Sequence, residues 1–580
     1  MPPDFGPNVF IFDPTMPQGE IQAQVNAIAN QQISNQFGTQ RYALLFMPGT
    51  YGTATNPLNF QVGYYTAVAG LGLSPNDVVI NGSIDVYNQC DTSVTPPSCV
   101  ALTNFWRSLS NLTINVTNSS FGCHAGEFWA VSQAAPMRRV HVNGLVTLDD
   151  YCSQPSFASG GFIADSEFDG STVINGSQQQ WLVRNSKLDG WTNGVWNQVF
   201  SGVEGAPAQC FPLQPNVCGP YTTLATSPVT REAPYLYVDA RGHYRVFVPS
   251  VQRNSVGTTW GDGPVAGSSI SIDDDFFVAK PTDSVQKINS ALAQGQNLLF
   301  TPGIYYLDRT IKVKRPDTVV LGLGFPTLVP NNGVVAMSVA DVPGVKLSGL
   351  LFDAGPLNSP VLLQVGTWNA HKSDPDDPTL LSDVFFRIGG ATAGKATISL
   401  VVNSDNVLLD DIWAWRADHG TGVGWTDNTA DTGAIVNGDN VTAYGLFVEH
   451  YQKYEVMWNG NGGTEIFFQN EMPYDPPSQA QWMEAPDVDG WAAFKVANTV
   501  TSFRGYGMGS YSFFNKGVNI FAANAFEVPV TLPPSSLNDL LTIFLNSTIG
   551  SGGILNVVNG TGGSSTIANP DVPVTVVSYP

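Results

Sequence analysis

Short runs of apolar and β-branched residues recur along most of this chain, separated by asparagine, aspartate and glycine. Such runs occupy residues 112–116, 140–142, 319–321, 345–352 and 407–412. They have the length of strands, and polar turn residues separate them at intervals that suit the coils of a parallel β-helix. A β-sandwich would favour regular hairpin turns, and a β/α alternation would need long helices throughout. The pattern therefore predicts an all-β fold built from right-handed parallel β-helices.

The chain also contains an internal duplication. The segment LLFMPGTY at 44–51 resembles LLFTPGIY at 298–305, and a Gly-Leu-Gly turn follows each, at 70–72 and 322–324. A short amphipathic helical pattern precedes each copy: Ile21, Val25 and Ile28, then Val285, Ile288 and Leu292. Two copies of one structural module account for the length. We therefore expect an N-terminal β-helix domain at 1–225, a Pro- and Gly-rich linker at 226–270 and a C-terminal β-helix domain at 271–580.

Composition excludes several classes of protein. Only 12% of the 580 residues are charged while 43% are apolar, so the surface must be polar mainly through uncharged side chains. No uninterrupted apolar run reaches the roughly 18 residues that a membrane span needs. The net charge of -22 would repel phosphate backbones and anionic lipid heads. Nucleic acid and membranes are therefore not expected partners.

The cysteines indicate an oxidising compartment. None of the six has the CxxC spacing of a zinc or redox site, so disulfides are favoured over buried free thiols. Six cysteines allow about 15 pairings. Sequence neighbours suggest the pairs Cys90 with Cys99, Cys123 with Cys152, and Cys210 with Cys218.

Candidate N-glycosylation sequons support the same compartment. They begin at Asn81, Asn111, Asn115, Asn118, Asn175, Asn440, Asn546 and Asn559. We therefore expect a secreted, extracellular protein. The sequence opens without a charged and apolar leader, as expected for a mature chain whose signal peptide has been removed.

Motifs for several common chemistries are absent from the sequence. The six histidines include no HExxH pair and no spacing that would bring several to one metal ion. No GxxxxGK[ST] loop, GxSxG elbow or EF-hand loop occurs. Neither a metal nor a cofactor is predicted.

Carboxylates, amides and aromatic residues concentrate in three segments of the second half, at 413–431, 449–454 and 469–475. Thirteen tryptophans in a charge-poor chain suit a carbohydrate cleft, because indole faces cover the apolar faces of sugars while amides and carboxylates bond the hydroxyls. Each single residue also has a structural interpretation, such as an ion pair between Arg416 and Asp418. The cluster as a whole indicates a carbohydrate-active protein.

Longer motifs resemble a known family. They are WAVSQAAPMRR (129–139), QQQWLVRNS (178–186), NGVWNQVFSGVEGAPA (193–208), WRADHGTGVGW (415–425), GLFVEHYQKYEVMW (445–458), FFQNEMPYD (467–475) and GYGMGSYSFFN (505–515). These segments resemble glycoside hydrolase family 55, mainly exo-acting β-1,3-glucanases, and the resemblance extends from residue 4 to the C-terminus. It implies twin pectate-lyase-like β-helices packed side by side, a β-glucan cleft between them, and metal-free hydrolysis with inversion.

The resemblance raises a question about the general acid. The family pattern has a glutamate immediately before the Gly-aromatic-Gly-x-Gly run, whereas Arg504 precedes this run here. A guanidinium cannot deliver a proton as a carboxylic acid does. Glu471 in FFQNEMPYD is the leading substitute, and Glu449, Asp475 and Glu484 are the alternatives. Arg504 could also pair with Glu471 or Asp475 and lower the pKa of that carboxyl group.

Other site residues are implied by the same resemblance. Gln179 and Ser201 match polar positions that hold the nucleophilic water. Together with Glu471 and Arg504 they form the predicted catalytic set. The predicted substrate-binding residues are Gln133, Trp191, Trp425, Asp418, Glu449, Tyr474 and Tyr506.

Three functions remain open at this point. The first is a secreted, monomeric hydrolase of neutral β-1,3-glucan. The second is a glucan-binding homologue that has lost its general acid. The third is a β-helix polysaccharide lyase that uses Arg504 as its base, although the -22 charge argues against a uronate substrate.

Overall fold

The computed structural model describes residues 2–117, 122–192, 194–370, 372–545 and 550–580. It is almost entirely β-structure with parallel sheets, which confirms the predicted fold class. The chain folds as two compact units. The first holds residues 1–281, 298–303 and 321–326, and the second holds 282–297, 304–320 and 327–580.

The first unit is built on two parallel sheets. The longer sheet has fourteen strands, Val9–Phe12, Tyr42–Phe46, Gly49–Tyr51, Leu58–Gln61, Thr66–Gly70, Val78–Asp85, Arg107–Asn115, Met137–Asn143, Gly161–Ala164, Glu167–Asp169, Gln180–Arg184, Lys187–Leu188, Asn197–Ser201 and Tyr221–Leu224. The shorter sheet has four, Glu127–Phe128, Val146–Thr147, Val173–Ile174 and Trp191–Thr192. Neighbouring strands within each sheet are parallel and in register.

The residues predicted as a linker fold within the first unit. They contribute two antiparallel sheets, Ser227–Arg231 with Val251–Ser255, and Tyr235–Val238 with Tyr244–Pro249 and Gly267–Ser271. Side chains tie this segment to the coils, because Arg184 forms a buried, two-bond ion pair with Glu232, and Thr259 Oγ1 donates to Asp165 at 2.8 Å. The Pro- and Gly-rich composition of 226–270 therefore reflects turns between short strands.

The second unit repeats the two-sheet plan. Its longer sheet contains Ile304–Leu307, Thr327–Pro330, Lys346–Asp353, Leu380–Ile388, Leu408–Arg416, Thr442–Glu449, Gly463–Glu471, Phe503–Ser512, Leu537–Phe544 and the antiparallel Val574–Tyr579. Its shorter sheet contains Ile311–Val313, Met337–Val339, Ser359–Val365, Ala396–Val402, Thr432–Val436, Val456–Trp458, Phe494–Val496 and Phe526–Glu527. Three further strands are Phe276–Ala279, which belongs to the first unit, and Asn297–Phe300 and Val319–Gly322, whose residues are divided between the two units.

Small elements complete the described chain. Further strands are Gln89–Asp91 with Ser98–Val100, Met483–Ala485 with Val488–Asp489, and Phe521–Ala522, Gly553–Ile554 and Ser565–Thr566. Single 3₁₀ turns are Pro75–Asp77, Gly122–His124 and Gln479–Gln481, and the α-helices are Gln18–Gln32, Ile272–Asp275 and Val285–Ala293. Among the described residues, no helix has the length and apolar character needed to cross a membrane.

The duplication is visible in the structure. The helices Gln18–Gln32 and Val285–Ala293 bury the apolar positions that the sequence pattern predicts. Gly49 and Gly303, equivalent in the two copies, both have positive φ values, and a Cβ at either would collide with a proline ring, Pro14 or Pro281. Only glycine fits such a close approach without strain.

Polar ladders hold neighbouring coils of the second unit in register. At one turn, Asn437 Nδ2 donates to Asn403 Oδ1 at 2.8 Å, and Asn459 Nδ2 donates to Asn437 Oδ1 at 2.7 Å. Each amide uses its donor on the preceding coil and its acceptor on the next, so polar groups can line a turn without unpaired atoms.

All three predicted disulfides are confirmed, joining Cys90 to Cys99, Cys123 to Cys152 and Cys210 to Cys218. The sequon asparagines differ in burial and in the hydrogen bonds of their side chains. The side-chain nitrogen of buried Asn111 donates to the Gly70 and Gly72 carbonyls, and that of buried Asn175 donates to a glutamine. A glycan on either nitrogen would break these bonds, so the structure removes both from the candidates.

Asn440 is the sequon asparagine that lies exposed, whereas Asn81, Asn115 and Asn559 are half-buried and use their side-chain nitrogens in hydrogen bonds. Asn118 and Asn546 lie outside the described residues. Asn440 is therefore the best-placed candidate for glycosylation.

Candidate active site

Four side chains share one register position at the ends of adjacent strands in the second unit. Trp415 pairs with Glu449, Glu449 with Glu471, and Glu471 with Tyr511. Neighbouring strands lie about 4.8 Å apart and residues in register face the same side of the sheet. The fold therefore stacks two carboxyl groups directly on adjacent coils, between aromatic residues.

The two carboxyl groups form a close pair. One oxygen of Glu449, one of Glu471 and one ring nitrogen of His450 lie within 4.8 Å of one another. Burial raises the pKa of Glu449 well above its usual range, and the charge of Glu471 raises it further. Burial also raises the pKa of Glu471. The pair therefore resists full ionisation, because two buried like charges this close repel each other.

Glu471 is the more accessible member of the pair. Glu449 is only 3% exposed, whereas the side chain of Glu471 keeps 14% of its surface open. The Tyr474 hydroxyl donates a short hydrogen bond to Glu471 Oε2, which fixes that oxygen. A partly exposed carboxyl group with a raised pKa can hold a proton and release it to a bound ligand.

His450 is held in one orientation beside Glu471. Its Nδ1 lies 3.0 Å from the Met472 carbonyl, and because a carbonyl only accepts, Nδ1 carries the hydrogen. Its Nε2 then points towards carboxylates, at 3.6 Å from Glu471 Oε2 and 3.9 Å from Asp418 Oδ1. His450 thus links the carboxyl pair to a third acid.

The pKa of Asp418 is shifted in the opposite direction from those of Glu449 and Glu471. Burial raises its pKa, but the hydrogen bond from His419 and the positive fields of His450 and His419 outweigh this effect, and the pKa is lowered to about 2. The lowered pKa of Asp418 and the raised pKa of Glu471 suit two carboxyl groups to separate roles, and such divergence of pKa values is typical of catalytic sites.

Arg416 braces the loops around this group. The buried guanidinium donates to the Asn428, His450 and Gly424 carbonyls at 2.8–3.1 Å, and makes a two-bond ion pair with Asp475 at 2.9 and 3.0 Å. Asp475 is therefore a structural partner of Arg416. The predicted ion pair of Arg416 with Asp418 does not occur.

Trp425 packs against the same arginine, Arg416. The guanidinium carbon of Arg416 lies 5.6 Å from the centre of the Trp425 ring, and the Trp425 carbonyl accepts from Gln452 Nε2 at 2.6 Å. The indole is half-buried and therefore keeps part of its surface open. This geometry suits the predicted role of Trp425 in covering a sugar face.

Arg504 and Tyr506 lie in the first half of the strand Phe503–Ser512, away from Tyr511, which pairs with Glu471. Arg504 pairs with Thr464 near the start of its strand, seven positions before Tyr511, the residue that pairs with Glu471. At about 3.3 Å per residue, this places Arg504 roughly 20 Å from the Glu471 position. Pairing of Arg504 with Glu471 or Asp475 is therefore excluded, and the exposed Arg504 does not occupy the place of a proton donor to this site.

The remaining predicted residues belong to the first unit. Gln179 is half-buried, while Ser201 is fully buried with its hydroxyl 2.8 Å from that of Ser227. Gln133 is buried and bonded to Ser159. Trp191 is only 8% exposed and packs edge-on against Phe200 in the core, which leaves little of its indole surface open for the predicted contact with substrate.

Three groups among the described residues have the spacing of metal ligands. In the first, His124, Asp150 and Cys152, the cysteine is committed to a disulfide. In the second, His141, Glu167 and Asp169, the ammonium group of Lys187 bonds to Glu167. The third is the Glu449, His450 and Glu471 group, in which burial raises the pKa of both carboxyl groups.

Sequence reasoning missed two features of this site. It did not place His450 beside the carboxyl pair, and it did not find Asp475 as the partner of Arg416. The signal for the second was weak, because 59 residues separate Arg416 from Asp475. Knowledge of coil register is needed to see that both flank the end of one strand.

Comparisons with known proteins agree with this geometry. Residues 276–471 match the family model of the LAM55 pectate lyase-like domain. The chain is 50% identical over 580 residues to an exo-β-1,3-glucanase of Streptomyces sp. (strain SirexAA-E / ActE), covering all of this chain and 90% of that protein.

Solved structures extend the likeness to the whole fold. The structure of sacteLam55A from Streptomyces sp. SirexAA-E superposes with a TM-score of 0.91 at 48% identity, covering 100% of this chain and 99% of that chain. A variant of the same protein in complex with glucose gives a TM-score of 0.89 at 47% identity, covering 100% and 98%.

Fold and site together define a class: a parallel β-helix glycoside hydrolase with a buried pair of carboxyl groups. Within that class, the whole-length relationship identifies the family, and the chain belongs to glycoside hydrolase family 55, the family of laminarinase-like β-1,3-glucanases.

Proposed function

We propose that this chain releases glucose from the ends of β-1,3-glucan chains, with Glu471 as the general acid. The observation that carries the proposal is the Glu449 and Glu471 pair, in which burial raises both pKa values while Glu471 keeps an exposed edge. Glycoside hydrolysis needs a carboxylic acid that protonates the leaving oxygen. The exo-β-1,3-glucanase activity named for the Streptomyces relative supports the choice of substrate.

The same pair argues against Glu449 as the catalytic base. An inverting hydrolase needs its two carboxyl groups about 6.5–9.5 Å apart, so that water fits between base and sugar. Oxygens of Glu449 and Glu471 lie within 4.8 Å, and Glu449 is buried. On the family resemblance, we assign the binding of the nucleophilic water to Gln179 and Ser201. Gln179 is the more exposed of the two.

A non-catalytic glucan-binding role depended on Arg504 standing in for the acid. Arg504 lies at the far end of its strand from the Glu471 register, so its presence does not remove a proton donor from this site. The lyase alternative needed Arg504 as a base beside the substrate, and it loses the same support. Hydrolysis is the function that the carboxyl pair favours.

The proposal also covers the location of the protein, its oligomeric state and the charge of its substrate. We propose that the chain acts outside the cell as a monomer on a neutral glucan, since three disulfides and a charge of -22 suit that setting. Size-exclusion chromatography with light scattering tests the monomer, and loss of activity after reduction tests the disulfides.

Incubation with laminarin, followed by proton NMR of the anomeric signals in the first minutes, tests the function. We expect α-glucose to appear before β-glucose, as inversion of a β-linkage requires. Early β-glucose would contradict inversion, longer oligosaccharides alone would contradict exo action, and no soluble product would contradict hydrolysis.

A further inference from the structure

A basic groove with no assigned role lies in the second unit. It runs between the helix Val285–Ala293 and the strand Ile311–Val313, and its volume is about 390 Å³. Its charged and polar lining residues are Arg309, Lys312 and Lys314 on the strand side, and Gln286, Asn289 and Ser290 on the helix. The described residues that line it include no carboxylate. All the charged groups that the groove offers to a ligand are therefore positive.

The strand places its two lysines on one open face. Ile311 and Val313 are buried, whereas Lys312 and Lys314 are exposed, as the alternation of a strand requires. Residues two positions apart on a strand lie about 7 Å apart on the same face. Neither lysine forms an ion pair or a side-chain hydrogen bond among the described residues. Both ammonium groups are therefore open to a ligand that enters the groove.

Arg309 is the third cation of the groove. Its guanidinium donates to the adjacent Asp308 at 3.1 and 3.3 Å, but the two side chains are 54% and 58% exposed, so this ion pair contributes little and a ligand can replace it. Three cations thus meet in one groove of a chain that has only 25 basic residues and a net charge of -22. A patch whose sign opposes the net charge gives a local field that attracts anions.

Asn289 satisfies the backbone beside the groove. The strand Ile311–Val313 is the first of its sheet, so one of its edges has no neighbouring strand. Asn289 covers that edge, because its Nδ2 donates to the Thr310 carbonyl and its Oδ1 accepts from the Lys312 N–H, both at 2.9 Å. A partner is therefore recognised by side chains and not by addition of a further strand.

The uncharged lining distinguishes between kinds of anionic partner. The described lining has no aromatic side chain on which the bases of a single-stranded nucleic acid could stack. Its apolar residues are the buried Leu292 and the small Ala293, which give a lipid surface nothing to take up. The exposed Gln286 and Ser290 can instead bond hydroxyl groups, which sugars carry on every unit. The volume lies within the range of roughly 300–1,000 Å³ that is usual for ligand sites.

We propose that this groove binds an acidic saccharide, with its carboxylate or sulfate groups on Arg309, Lys312 and Lys314 and its hydroxyl groups on Gln286 and Ser290. It is a docking site and not a second catalytic centre, because no carboxyl group among its described lining could protonate a leaving oxygen. Where acidic polysaccharide and neutral glucan occur together, docking raises the concentration of the enzyme at its substrate. The proposal does not depend on the assignment of Glu471, which does not line the groove.

Isothermal titration of the full-length protein with tetragalacturonate and with a sulfated tetrasaccharide tests the site. Maltotetraose is the neutral probe of the same length. We expect the acidic probes to bind more tightly than maltotetraose and to lose affinity as the salt concentration rises from about 0.05 M to about 0.5 M, because salt screens exposed charges. The ratio of the two affinities shows whether carboxylate or sulfate is preferred. A single-stranded oligonucleotide of equal charge should bind more weakly than either.

Two double variants test the residues. Lys312→Ser with Lys314→Ser should raise the dissociation constants of the acidic probes about tenfold, since two ion pairs with the ligand are lost. Lys372→Ser with Lys516→Ser is the matched control, because both lysines are exposed in the same unit, lie outside the groove and change the net charge equally.

Melting temperature and hydrolysis of soluble laminarin should stay at wild-type values in both double variants, because the changes are on the surface. Three outcomes would overturn the proposal: affinity for the acidic probes no greater than for maltotetraose, equal losses in the two double variants, or tighter binding of the oligonucleotide.

Discussion

Both oxygens of Asp475 accept hydrogen bonds from the guanidinium of Arg416, at 2.9 and 3.0 Å, across 59 residues of chain. The ion pair is largely buried, because the Arg416 side chain is 1% exposed and that of Asp475 is 16% exposed. Since Arg416 also donates to the carbonyls of Gly424, Asn428 and His450, this pair helps to position residues near Glu471.

Asp475→Asn should therefore destabilise the protein, by about 3 kcal/mol, because it leaves the buried guanidinium without its counter-ion. The free energy of unfolding in urea gives the value. Asp431→Asn is the control, since the pair of Asp431 with Lys453 is exposed and should contribute about 1 kcal/mol or less. Equal small losses in both variants would mean that Asp475 does not brace the site.

Replacement of Arg504 should have little effect on catalysis. The side chain is exposed and lies at the opposite end of its strand from the Glu471 register, so Arg504→Glu should leave kcat/KM on laminarin within about twofold. The assay is initial-rate release of glucose. A large gain in rate would show that residue 504 reaches the reaction and would contradict the placement of the acid at Glu471.

Two neighbours of Glu471 should shift the alkaline limb of the pH–rate profile in opposite directions. Tyr474 lowers the pKa of Glu471 by donating to its ionised form, so Tyr474→Phe should raise the pKa and move the limb to higher pH. The charge of Asp418 raises the pKa of Glu471, so Asp418→Asn should move the limb to lower pH.

The profile of kcat/KM against pH reports the free enzyme, so it is the quantity to compare. An acid must be protonated to act, and activity is therefore lost as the pH rises through its pKa. Shifts of the same sign in both variants would show that the limb belongs to another group.

Glu465 should make stability depend on pH. It is fully buried, neither carboxyl oxygen has a partner among the described residues, and burial raises its pKa well above 4.5. A group whose pKa is raised on folding contributes its full stability below the unfolded pKa, and that contribution is lost as the pH rises through the folded value. Glu465→Met should therefore raise the melting temperature more at about pH 8 than at about pH 4.

Differential scanning fluorimetry at both pH values measures this effect, with exposed Glu20→Gln as the control. A Glu465→Met variant that gains equally at both pH values would mean that folding does not raise the pKa of Glu465.

The sequence predicted the coil architecture because coil interiors demand short apolar runs and turns demand Asn, Asp and Gly. The disulfides were also predictable, since each joins cysteines that are neighbours in sequence. The carboxyl pair was not predictable, because the length of a coil varies. The contacts between coils span 34 residues from Arg416 to His450, 22 from Val448 to Asn470 and 40 from Asn470 to Ser510. Without a fixed period, no spacing reveals that Glu449 and Glu471 share a register position.

The motif comparison could not show the surroundings of Trp191 and Arg504 for a related reason. An aromatic side chain such as that of Trp191 suits a sugar face and a coil interior equally, and burial alone distinguishes them. Arg504 was chosen from its distance to a glycine run in sequence. Its register with Thr464, far from the Glu471 position, became visible only in the folded coil.

The most direct test of the central claim compares two substrates in Glu471→Gln. Laminaritriose has a poor leaving group and needs the acid, whereas 2,4-dinitrophenyl β-glucoside leaves without protonation. We expect kcat on laminaritriose to fall by about 100- to 10,000-fold while the activated glucoside is cleaved at close to the wild-type rate. Equal losses on both substrates, or no loss on laminaritriose, would contradict the assignment of Glu471 as the general acid.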